Sequence, residues 1–150
     1  MRTTVRRSPP GATVAAGGFY LCMGGVHLGL VAADTEVYRH FADGGLFGFV
    51  RDGWAEVFMA HPAVWGLLLA AGEVTLGAVM LVGGRPARAG WVAMVVFQVL
   101  LMLFGWGFWL WSLPAVAVLV AGARHDWAAL GRRLDEAPVE TQSRSVPTGS

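Results

Sequence analysis

Three polar side chains stand deep inside apolar sequence: Glu73, His27 and Gln98. Glu73 carries the only charge between Pro62 and Gly84, in PAVWGLLLAAGEVTLGAVMLVGG. A carboxylate at the centre of a bilayer costs roughly 2.5–3.5 kcal/mol on insertion scales, so such a residue is the first candidate for a functional centre. Dehydration favours the neutral acid. A neutral acid could bond Gln98 or His27 as structural glue. Paired with His27, it could also exchange a proton with a quinol-like or other small amphiphilic ligand. Taken singly, Gln98 reads as an interhelical hydrogen bonder, and His27 as a neutral histidine satisfied in a core.

Other chemistries find no support in the sequence. There is no GxGxxG following a strand, no P-loop, no GxSxG and no HExxH. His27, His40, His61 and His125 lack metal-ligand spacing, and neither c-type nor b-type haem spacing is present, so no metal site and no covalently bound cofactor are expected. Cys22 is the single cysteine, which excludes a disulfide within the chain and a thiol relay. It reads as a small packing residue. The basic residues are explained by membrane topology, so no nucleic-acid partner is expected.

The elements that must position these residues are transmembrane helices. The 150-residue chain is 55% hydrophobic and 14% charged, with a mean hydropathy of +0.55. That is too apolar for an ordinary soluble domain. Lys, Ile and Asn are absent, a bias that points to a GC-rich bacterial genome. An N-terminal segment, 1–11, precedes span one at about 12–33; no small-residue cleavage site is evident, so the span is read as retained. Span two is about 62–82. Residues 89–123 form 35 residues without a charge. As one helix they would reach about 52 Å, too long for one crossing. Gly105-Trp106-Gly107 supplies a break, giving spans at about 87–105 and 107–123. Pro86 suits the first turn of span three, whereas Pro114 should kink span four or mark its effective start. The tail, 124–150, reads as disordered from about residue 135.

Nine of the eleven arginines fall on one side of these spans, with only Arg39 and Arg51 on the other. The positive-inside rule then puts both termini in the cytoplasm of a bacterial inner membrane. Trp65, Trp106, Trp109 and Trp111 would lie near the outer interface, and Trp91 and Trp127 near the inner one. The outer loop, 34–61, contains Phe47, Val50, Trp54, Val57 and Phe58 at spacings that fit one helical face. This segment reads either as a helix lying in the interface or as a lid over a cavity between the spans. The fold class is therefore all-α: a transmembrane four-helix bundle with an outer amphipathic helical segment.

Helical phase brings the polar residues inward. Gly66, Ala70, Glu73 and Gly77 share a stripe on span two, and small stripes allow close helix approach in lipid. Gly17, Tyr20, Gly24 and His27 share one on span one, with Gly18, Cys22, Gly25 and Gly29 beside it. Trp91, Met94, Gln98, Leu101 and Gly105 share one on span three.

With Gly24-Gly25-Val26-His27 in span one, Gly72-Glu73-Val74-Thr75-Leu76-Gly77 in span two, and the turn Leu81-Val82-Gly83-Gly84-Arg85-Pro86-Ala87-Arg88-Ala89, the chain resembles the DoxX-like family of small four-helix membrane proteins over roughly residues 15–122. The resemblance implies an accessory subunit of a quinone-linked or oxidative-stress redox system. It also implies a redox partner subunit beside the lipid bilayer, and sulfur chemistry, if any, on that partner. The residues themselves leave two rivals open: a small-molecule transporter or permeation subunit with Glu73 as proton site, and a purely structural interaction protein, for which a homo-oligomer would serve. Whether the chain catalyses a reaction is not decided by its sequence.

Overall fold

The computed structural model describes residues 9–132. Arg2, Arg6, Arg7, Arg133 and Arg144, and the tail expected to be disordered from about residue 135, lie outside the described residues. Helices make up the architecture, and no strand occurs among the described residues. Four helices are long and apolar enough to cross a membrane: α1 (Gly11–Ala33), α3 (Pro62–Val82), α4 (Gly84–Leu101, extended by a 3-10 turn Met102–Phe104) and α5 (Trp106–Arg132). A short α2 (Gly48–Gly53) lies in the loop between α1 and α3.

Small residues decide how the helices pair. α1 runs antiparallel to α3, with Gly17 against Gly77 and Met80, and Gly24 against Ala70 and Val74. A Cβ on Gly77 would lie 2.7 Å from the Gly17 carbonyl oxygen, so the two backbones touch where no other side chain fits. Without a hydrophobic drive between helices in lipid, such contact is what holds them. α3 turns into α4 at Gly83, whose φ of 76° suits glycine. Gly90 on α4 then packs against Met80. α4 reaches α5 through Trp91 against Gly122 and through the Arg88 guanidinium, which donates to the Trp127 carbonyl at 2.7 Å and lies over its ring. The ring of helices closes where Asp126 of α5 caps the first turn of α1: the Thr13 N–H and hydroxyl both donate to Asp126 Oδ2 at 2.7 Å. This satisfies an orphan donor of the helix start.

The break at Gly105 is enforced sterically. Its φ is 104°, and a Cβ there would overlap the Gly44 carbonyl. The Leu46 N–H donates to the Leu103 carbonyl at 3.0 Å, which fastens the outer loop to the α4–α5 turn.

Several expectations need correction. Pro114 does not mark the start of a helix; it lies inside α5, which begins at Trp106 and continues to Arg132, beyond the expected end at residue 123. Trp91 does not turn to the surface: it is only 2% exposed, in a core with Tyr20, Met80, Met94 and Leu119. Cys22 is not a packing residue but exposed on the outer face of α1. The outer segment is one helical stretch in two pieces, α2 followed by a π turn at Trp54–Phe58. The extra residue of the π turn rotates the face. Val50, Trp54 and Phe58 turn inward, while Phe47 and Val57 remain exposed.

Candidate functional site

Glu73 lies midway along α3, on the face pressed against α1, because the small residues Ala70 and Gly77 one turn away on either side draw that face inward. His27 comes from the last third of α1, one turn beyond Gly24. Gln98 comes from α4, one turn beyond Met94. All three are buried, Glu73 and Gln98 at 4% exposure each, and all three line one cavity of about 610 Å³. That volume falls in the range of about 300–1,000 Å³ typical of small-molecule sites.

The polar contacts are ordered but incomplete. His27 Nε2 lies 3.7 Å from Glu73 Oε1, too long for a hydrogen bond but close enough for electrostatic coupling. On its other side, His27 Nδ1 meets the Tyr38 hydroxyl at 2.9 Å, with the two rings stacked. A Tyr38 hydroxyl donating to Nδ1 sets the tautomer whose Nε2–H faces Glu73. Glu73 Oε2, Gln98 Oε1 and the Tyr20 hydroxyl are sealed from solvent and make no hydrogen bond of normal geometry among the described residues. In a dry interior each unpaired group is costly; the Tyr20 hydroxyl and the Gln98 amide lie near enough to interact with each other, which leaves the Glu73 carboxyl as the group without a compensating bond.

The cavity walls are aromatic. Phe41, Trp54 and Phe58 from the outer segment roof it, and Phe104 and Phe108 flank it from the α4–α5 turn. Trp54 stacks on Phe58 at 3.8 Å between centroids and meets Phe104 edge-on at 5.1 Å. Its indole N–H donates to the Tyr38 carbonyl at 2.8 Å. The lid is thus tied to the residue that holds His27, and lid and polar floor form one unit. The segment between α1 and α3 thus has one face on the cavity, through Trp54 and Phe58, and an exposed apolar face with Phe47, Phe49 and Val57.

Tyr38 and Tyr20 are the site residues that sequence reasoning did not single out. Tyr38 is fully buried although it lies in the loop, and it shields Gly66 of α3 as well as His27. The available signal was scarcity. The chain has two tyrosines, and both reach this site. No cluster of three or more His, Cys, Asp or Glu side chains able to hold a metal ion occurs among the described residues.

The arrangement can hold a flat, partly apolar molecule between aromatic walls. It can offer that molecule a carboxyl group backed by an imidazole, with an amide opposite. No protein-family model, no curated protein and no solved structure matches the chain.

Proposed function

We propose that the chain is a multi-pass membrane protein that binds a small amphipathic ligand of the quinone class, as an accessory subunit of a membrane redox system. The observation that carries the reading is a cavity of about 610 Å³ with aromatic walls, lined at once by the buried Glu73, His27 and Gln98. A ring carbonyl or hydroxyl fits this set: a neutral Glu73 donates to a carbonyl, and Gln98 accepts from a hydroxyl or, through its amide, donates to a carbonyl. Trp54 and Phe58 cover the ring and exclude water. His27, held by Tyr38 at Nδ1, keeps its Nε2–H directed at Glu73, where it can stabilise the carboxylate once Glu73 has given its proton to the ligand. A quinone, when bound, supplies reversible electron and proton transfer. The resemblance to DoxX-like proteins is in keeping with the same reading and implies an electron-transfer partner on another chain.

A binding role is favoured over permeation by what lies beneath the site. Tyr20, Met80, Trp91 and Met94 pack together beneath the site, each at most 2% exposed. In this reading the arginine asymmetry puts both termini in the cytoplasm and the aromatic lid outside.

The test is binding of a tail-free benzoquinone to the purified full chain in lipid nanodiscs, read by quenching of tryptophan fluorescence; Trp54, Trp65 and Trp111 line the cavity. Saturable quenching is expected, weakened by up to about tenfold in Glu73→Leu, the loss of one neutral hydrogen bond of about 0.5–1.5 kcal/mol. Quenching that grows linearly with quinone in the membrane and ignores Glu73→Leu would overturn the reading.

A further inference from the structure

A second chamber of about 460 Å³ lies between α1 and α5, nearer the inner end of the bundle. Its sides are short residues: Ala12, Ala15 and Ala16 on α1, and Pro114 and Ala115 on α5. The two helices are pinned together at the inner end by the Thr13–Asp126 bonds, and again higher up by the stacked rings of Phe19 and Trp111, 6.5 Å apart. Between those pins lie about two turns of α1, roughly 9 Å, and about four turns of α5, roughly 22 Å. The slot opens sideways: Val118 on its rim is 71% exposed, on the surface that would face acyl chains.

The slot and the Glu73 cavity share a wall. Phe19, Tyr20, Gln98 and Trp111 line both. The slot is lined almost wholly by apolar side chains, whereas the neighbouring cavity holds Glu73 and His27. A molecule with a polar head in the cavity and a hydrocarbon tail in the slot would match the two chambers that meet at this wall.

We infer that the slot between α1 and α5 holds the hydrocarbon tail of the ligand whose head lies at Glu73, and that the ligand is a long-tailed amphiphile loaded sideways from the bilayer. The inference rests on the head-site reading given above. The tail is already in an apolar medium before it binds, so the slot contributes packing and geometry rather than a hydrophobic gain. Its signature is therefore steric.

The probes are a tail-free benzoquinone and its decyl derivative, measured by tryptophan quenching on the full chain in nanodiscs, with concentrations corrected for partition into lipid. Ala115→Trp fills the slot. The expected result is an affinity for the decyl compound about tenfold lower than in the parent, about 1.4 kcal/mol, with tail-free affinity unchanged within about twofold. Equal behaviour of the two probes in parent and variant, with saturable binding intact, overturns the tail slot and leaves the head site standing. Absence of saturable binding for both probes in the parent overturns both. A second measurement needs no variant: a decyl benzoquinone carrying a diazirine at the tail end is photolysed on the parent chain. Labels on α1 between Ala12 and Phe19 and on α5 between Pro114 and Gly122 are expected. Labels confined to other helices, or spread evenly over the lipid-facing surface, overturn the inference.

Discussion

At the scale of single residues, the site is a balance between glue and chemistry. Glu73 is buried against α1 and shares only a 3.7 Å approach with His27, so half of its carboxyl is left without a partner. A residue kept only as glue would have both oxygens engaged. Glu73→Gln keeps size and hydrogen bonding and removes the titrating group. The variant is expected to insert and to melt in detergent within a few degrees of the parent, while losing function in cells. Full function in the variant would end the proton-exchange role. Tyr38→Phe removes the hydroxyl that meets His27 Nδ1 at 2.9 Å. The expected cost is about 1 kcal/mol of stability, seen as a lower melting temperature. Ligand affinity should also weaken, because His27 is freed to turn. An unchanged melting temperature together with unchanged affinity would show that Tyr38 does not hold the imidazole.

At the scale of elements, α1 and α3 form the rigid half of the bundle and α5 the looser half. The rigidity comes from glycine contacts that leave no room for a methyl group. Gly77→Ala would press a Cβ to within 2.7 Å of the Gly17 carbonyl oxygen and the Leu21 Cγ. Overpacking of this kind costs about 1–3 kcal/mol. Gly72 lies on the same helix with nothing within 4 Å of its Cβ position. There Gly72→Ala should be neutral or stabilising by up to about 1 kcal/mol through helix propensity. Thermal melts of the two variants side by side decide the matter, and equal shifts would remove the close-packing account of α1 and α3. The phase of α3 was legible in the sequence, because a glycine stripe and a carboxyl on one face can only turn toward protein in lipid. The lid was legible only in part. Its periodicity was visible, but the π turn at Trp54–Phe58 that swings Trp54 and Phe58 over the cavity has no local sequence mark.

At the scale of the whole molecule, the asymmetry of charge fixes an expected direction. Reporter fusions to the C-terminus, one active only in the cytoplasm and one only outside it, should show activity for the cytoplasmic reporter alone. The reverse result would invert the bundle and put the aromatic lid on the cytoplasmic side. The membrane frame also explains the exposed apolar side chains on the outer faces, among them Phe49, Leu110 and Val118. In water they would be a liability; against acyl chains they are the solvated surface.

The sequence by itself determined the class of the molecule: four apolar helices, their approximate limits, the break at Gly105 and the inward faces of Glu73, His27 and Gln98. These follow from local physics, since hydropathy, glycine placement and helical period act over a few turns. The tertiary structure alone decided what depends on distant segments meeting. It brought Tyr38 from the loop onto His27, buried Trp91 in the core, and continued α5 on both sides of Pro114. It also left the slot between α1 and α5 open, because alanines and a proline face each other there while bonds at Asp126 and the Phe19–Trp111 stack hold the two helices at fixed points. No local pattern encodes a gap, since a gap is the distance between two helices that the rest of the bundle has already fixed.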